Sequence, residues 1–152
     1  MIHSWEEDAR SWLMNSDHIL ALAAKRFVAV DHGDVDACMS LLVDEPVFDL
    51  YPVGLRLSGQ DNVRNYYSWF LAHGAKLFMY DHVALYHGDD SISFELDIRY
   101  TPQDGEAETY RLLAIMSVEG DRFTGERLFG DERLFKVMFG EPTWQMLTPI
   151  KG

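Results

Sequence analysis

Four apolar, alternating segments occupy the second half of the chain, at residues 76–87, 91–101, 106–118 and 122–129. They are divided by Gly88-Asp89-Asp90, Gln103-Asp104-Gly105 and Glu119-Gly120-Asp121, clusters that reverse a backbone within a few positions. A run of this kind folds as an antiparallel meander. In residues 91–101 the alternation is clean: Ile92, Phe94, Leu96, Ile98 and Tyr100 form one face, and Glu95, Asp97 and Arg99 the other. The charged row reads as a solvent or dimer face before it reads as an acid–base cluster. The apolar row needs a cover.

The first half supplies one. Ser4 and Glu7 have capping-box spacing and Trp5, Ala9 and Trp12 share a stripe, which predicts a short helix over the first dozen residues. A second helix is predicted over residues 17–32, where Leu20, Ala23, Phe27 and Val30 recur at helical steps and Gly33 supplies the stop. Asp34 caps a third, with Val35, Cys38, Met39 and Leu42 inward, until Asp44-Glu45-Pro46 breaks it. Val47-Phe48-Asp49-Leu50-Tyr51 alternates as a strand, and Pro52-Val53-Gly54 turns it. After Gly59, the spacing of Val63, Tyr66, Tyr67, Phe70 and Leu71 gives the clearest helix, closed by His73-Gly74. Residues 125–135 end the last strand and open an amphipathic tail, and Trp144, Met146 and Leu147 beyond it are placed to lid a pocket or pack on a partner.

Helices followed by a meander predict an α+β fold: a curved antiparallel sheet packed as a cone-shaped barrel against N-terminal helices. With 152 residues, 47% of them hydrophobic, the chain suffices for one core and is too short for two, so residues 1–152 are expected to form a single domain. The net charge of −12 repels phosphate backbones and anionic lipid, which argues against nucleic-acid and membrane partners. The N-terminus has no basic or apolar signal region and no apolar run reaches membrane-spanning length, so a cytoplasmic protein is expected. Cys38, the only cysteine, sits on an apolar stripe and reads as core. The six histidines show no metal-ligand spacing, and neither a metal nor a cofactor is expected.

The order of elements and four local sequences resemble the nuclear transport factor 2-like superfamily, in its SnoaL-like and ketosteroid isomerase-like branch. The carriers are Arg26-Phe27-Val28-Ala29-Val30 leading into His32-Gly33-Asp34-Val35-Asp36, then Val47 to Gly54, then Ser58-Gly59-Gln60-Asp61-Asn62-Val63, and finally residues 125–135. The resemblance spans about residues 17–139. It implies a deep apolar pocket between sheet and helices and a homodimer formed across the sheet. It implies no one reaction, because isomerases, cyclases, dehydratases, epoxide hydrolases and non-catalytic binding modules share the fold. Asp49 matches the aspartate base of the ketosteroid isomerases. The positions matching their two oxyanion donors are Arg26 and Ala114, neither of which can play that part, so steroid isomerase activity is not expected.

The expected site combines Asp49 as acid or base with Tyr51 and His82 as assisting donors. Trp12, Phe27, Val47, Tyr66, Phe70 and Met116 are expected to line an apolar cavity for a hydrophobic polyketide-, terpenoid- or steroid-like molecule. Each assignment has a plainer alternative: Asp49 paired with an arginine, Tyr51 in the core, His82 on the surface. Only one of Asp81 and His82 can face the pocket. Glu126 stands where SnoaL-like sequences often carry an acidic–basic pair, either structural or catalytic. The expected function is acid–base chemistry as an isomerase, cyclase or dehydratase, and the alternative is a non-catalytic module that binds a hydrophobic ligand or dimerises.

Overall fold

The computed structural model describes the backbone of residues 5–151 and the side chains of residues 18–151. Its elements are α1 (Trp5–Asp31), α2 (Val35–Ser40), β1 (Leu42–Tyr51), β2 (Leu55–Ser58), α3 (Gln60–Ala72), a 3₁₀ turn (Gly74–Leu77), β3 (Phe78–His87), β4 (Ser91–Tyr100), β5 (Glu108–Glu119), β6 (Arg122–Phe129), α4 (Glu132–Trp144) and β7 (Thr148–Pro149). The strands form one curved, unclosed sheet in the order β3-β4-β5-β6-β1-β2-β7, with the helices on its inner face. The α+β architecture and the four-strand meander are as the sequence predicts.

Four details differ. The two expected N-terminal helices are one, α1, and the proposed Ser4 cap lies outside the described residues. Leu42 belongs to β1 rather than to the preceding helix, because Asp44-Glu45-Pro46 continues the strand. Pro46 fits there because the pairing of β1 with β6 shifts register between Leu42 and Val47, so its missing N–H breaks no ladder bond, while its carbonyl accepts from the Gly59 N–H at 3.0 Å. The meander does not stand alone either: β6 returns to pair in parallel with β1, which joins the last long strand to the first. At that junction a Cβ on Gly125 would lie 1.9 Å from the Val47 carbonyl oxygen, so only glycine fits.

The inner face holds the core. Phe48, Leu50, Leu57, Phe123, Leu134, Phe135 and Phe139 are fully buried there, each removing apolar area worth about 1.5–3 kcal/mol. On α1 the buried stripe is Ile19, Leu22, Ala23 and Ala29, with Leu20 and Val30 packed partly against it. This is the expected stripe rotated by about one residue. It leaves Phe27 at the edge and carries Arg26 into the interior. Helix α4 bends at Gly140 (φ +73°), whose bare α-carbon lies against the Trp69 indole; a Cβ would come within 2.4 Å of the ring.

Candidate functional site

Strand parity decides what faces the interior. In the parallel pair Phe48 lies beside Glu126 and Leu50 beside Leu128, and in the next pair Ala114 lies beside Leu128. These residues point inward, whereas Asp49, aligned with Arg127, points to the outer face. Between the inner face and α1 lies a cavity of about 480 Å³, within the range that takes a drug-sized molecule. Its walls are largely apolar, with Phe27, Phe70, Phe78, Phe94, Leu96, Ile98, Leu112 and Met138 prominent. The exposed members of the lining, Phe27, Val28, Asp31, Tyr80 and His82, mark its mouth between the end of α1 and β3.

At the other end lies a charged pair. Arg26 Nη2 donates to Glu126 Oε1 at 2.8 Å, with 16% of the arginine side chain and 4% of the glutamate side chain exposed. Burial pushes the Glu126 carboxyl above its ordinary value, and Arg26 offsets only part of that rise. For Arg26 burial acts downward, but Glu126, Tyr67 and Tyr66 outweigh it and hold the guanidinium charged. Tyr67 is the second contact of the guanidinium, while Nε is buried without a hydrogen-bond partner. Burial, and then the Glu126 charge, raise the Tyr66 phenol, so it stays a neutral donor. Burial also raises Tyr80 at the mouth.

Of the expected site residues, Phe27, Tyr66, Phe70 and His82 line this cavity. His82 meets the Phe27 ring edge-on at 5.7 Å, so it rather than Asp81 faces inward. Asp49, Tyr51 and Val47 do not line it, because all three stand on the outer face of β1. Asp49 instead accepts two bonds from Arg56, its cross-strand neighbour: Nε to Oδ1 at 2.6 Å and Nη2 to Oδ2 at 2.9 Å. Tyr51 stacks on Phe129 with centroids 5.1 Å apart. Met116 faces inward but is packed in the core rather than on the cavity wall. The Trp12 side chain lies outside the described residues. Arg26, set aside in the sequence as unable to fill the oxyanion-donor position it matches, is a polar group of the cavity lining, and it also falls on the buried period of α1. Among the described residues, no group of three His, Cys, Asp or Glu side chains is placed to hold a metal ion, and no helix is long and apolar enough to cross a membrane.

A curved sheet and helices around an apolar cavity define the class: a nuclear transport factor 2-like α+β protein. More narrowly, the chain belongs to the SnoaL-like domain family, whose model matches residues 23–126. No curated protein matches its sequence. Solved structures with the same fold include an NTF2-like protein of unknown function from Cytophaga hutchinsonii (15% identity, TM-score 0.62, covering 77% of this chain and 99% of that one). Another is the epoxide hydrolase/cyclase-like enzyme SalBIII of pyran ring formation in salinomycin (18%, 0.58, 74% and 90%). A third is an LEH-like epoxide hydrolase from Mycobacterium tuberculosis (13%, 0.59, 81% and 90%). At these identities the likeness is one of fold.

Proposed function

We propose that the protein is a small-molecule enzyme of the SnoaL-like type that moves a proton on a hydrophobic substrate, as an isomerase, cyclase or dehydratase. One observation carries this reading: Glu126, a buried carboxyl raised above its ordinary value, stands beside Arg26 on the wall of a largely apolar cavity. A carboxyl poised nearer neutrality both takes and returns protons efficiently. In the simplest cycle Glu126 takes a proton from the carbon beside a carbonyl. The C–H pair becomes the enolate double bond, charge collects on oxygen near the Arg26 cation, and Glu126 returns the proton to the same or a conjugated carbon. The acid–base role expected of Asp49 thus passes to Glu126, and Asp49 with Arg56 becomes a clasp between β1 and β2. His82 is a secondary proton carrier at the mouth.

The test needs no known substrate. Exchange of the acidic C–H of β-tetralone, a bicyclic aromatic ketone, is followed by NMR in deuterium oxide. The protein is expected to accelerate exchange over buffer, and Glu126→Gln to remove about 10²–10⁴-fold of that acceleration. A wild-type protein that binds aromatic ketones without accelerating exchange would leave the binding-module reading in place.

A homodimer across the outer sheet face is part of the same proposal. Tyr51, Phe129 and Leu113 form an adjacent row there, with Ile115 beside it, and only partly buried apolar rows of this kind favour association. Sedimentation at micromolar concentration tests it, and a species of 17.5 kDa would refute it.

A further inference from the structure

Arg26 carries more hydrogen-bonding capacity than its neighbours use. A guanidinium has five N–H donors in a fixed fork. One from Nη2 meets Glu126, Tyr67 supplies a second contact, and Nε has no partner although it is buried. Packing closes Nε off from the cavity as well, so the donors left for a bound molecule are those of the two Nη groups that Glu126 and Tyr67 do not use. The side chain is 16% exposed and borders the cavity, so part of the fork is open to a bound molecule. Charge limits what that molecule can be. Glu126 at 2.8 Å already balances the guanidinium, and a second anion at the same cation would meet the Glu126 carboxylate at close range in a poorly hydrated place. What surrounds the pair is mostly aromatic or aliphatic, with the Tyr66 and Tyr67 phenols as its polar groups.

Building on the assignment of this cavity as the substrate site, we propose that Arg26 selects the substrate by donating to one uncharged oxygen acceptor, a carbonyl or ether oxygen. That oxygen lies at the buried end of an otherwise apolar molecule, and carboxylates are excluded by Glu126. Arg26 is thereby a specificity-determining residue, and the pair sets both what enters and where its reactive end lies. An oxygen held there places the carbon beside it near Glu126.

Three probes of one shape test this by isothermal titration calorimetry: tetralin, with no acceptor; β-tetralone, with a carbonyl; and tetralin carboxylate, with an anion. A hydrogen bond to a charged donor is worth a factor of about ten or more in affinity. Tetralone is therefore expected to bind at least about tenfold tighter than tetralin, and the carboxylate more weakly than the ketone. Glu126→Gln keeps an acceptor for Arg26 but removes the anion, so it is expected to raise carboxylate affinity by about tenfold or more while retaining ketone binding. Arg26→Met combined with Glu126→Leu is expected to bind tetralin and tetralone alike. Equal affinities for tetralin and tetralone in the wild-type protein would overturn the Arg26 assignment and leave a ligand-binding cavity standing. Binding of none of the three would overturn the cavity reading with it. The wild-type comparison alone decides the proposal if either variant fails to fold.

Discussion

Arg26→Met probes the feature on which the site depends, a pair of charges held away from bulk water. With only 16% of the Arg26 and 4% of the Glu126 side chain exposed, neither group keeps its full hydration. Removing the guanidinium leaves Glu126 buried without a cation, and breaking a buried pair in this way costs about 3–5 kcal/mol. In a chain of this length each kcal/mol moves Tm by about 2–4 °C, so calorimetry should record a fall of roughly 6–20 °C. Arg26→Met combined with Glu126→Leu removes both charges and should return to within about 2 kcal/mol of the wild type. The single variant should also acquire a pH dependence whose sign is fixed. Burial already raises the Glu126 carboxyl, and losing Arg26 raises it further. Below the ordinary carboxylate range both folded and unfolded chains hold the proton and nothing is lost. As pH climbs through that range the unfolded chain releases its proton while the folded chain keeps it. Stability therefore falls with rising pH, by at most about 1.4 kcal/mol per unit, and levels off above the folded value. A single variant within about 1 kcal/mol of the wild type at pH 7, with an unchanged pH profile, would mean that Glu126 is hydrated. The acid–base role would then lose its basis.

Asp49→Asn should leave probe binding and proton exchange unchanged and cost about 1–3 kcal/mol, because it weakens a bidentate pair whose carboxylate side chain is only 11% exposed although Arg56 is 41% exposed; loss of exchange activity in this variant would return the base role to Asp49. Gly125→Ala should be destabilised by roughly 4 kcal/mol or more, since its Cβ would meet the backbone of Val47 rather than a movable side chain; a soluble variant with wild-type Tm would refute the β1–β6 register. Burial pushes the Cys38 thiol up to about 11, so at pH 8 the native protein should resist iodoacetamide while the denatured protein reacts; rapid native labelling, read by mass spectrometry, would place Cys38 at the surface.

The meander was legible in the sequence because its signals are local. Gly88-Asp89-Asp90 and Glu119-Gly120-Asp121 stand at the ends of strands that the structure places at Phe78–His87, Ser91–Tyr100, Glu108–Glu119 and Arg122–Phe129. The parallel return of β6 to β1 was not legible, because its partners Val47 and Gly125 are distant in sequence and neither carries a mark of the other. The same holds for Pro46. Alone it reads as a breaker, and only the register shift of the neighbouring strand makes it tolerable within β1.

The site was half legible, and the reason differs residue by residue. Phe27, Tyr66, Phe70 and His82 line the cavity as expected, Tyr66 and Phe70 because they lie on the buried stripe of α3, and Phe27 and His82 because they meet at the cavity mouth. Asp49 was misplaced by strand parity. Val47, Phe48, Leu50 and Tyr51 make both faces of that strand apolar, so the pattern cannot say which face is inward. The alignment of Phe48 with Glu126 and of Leu50 with Leu128 decides it. Arg26 was named at the family's oxyanion-donor position but set aside there as unable to play that part. It lies three residues after Ala23 and three before Ala29, on the buried period of α1, but a charged side chain at such a position is ordinarily read as solvent-facing. A charge on a buried helical period needs a counter-charge, and Glu126, which shares the inward face of its strand with Leu128, is the group that meets it. Buried charge in the middle of an apolar stripe is thus a sequence signal that was available beside the family match of Arg26 and Glu126. It points to the pair, and the pair marks the polar end of the cavity.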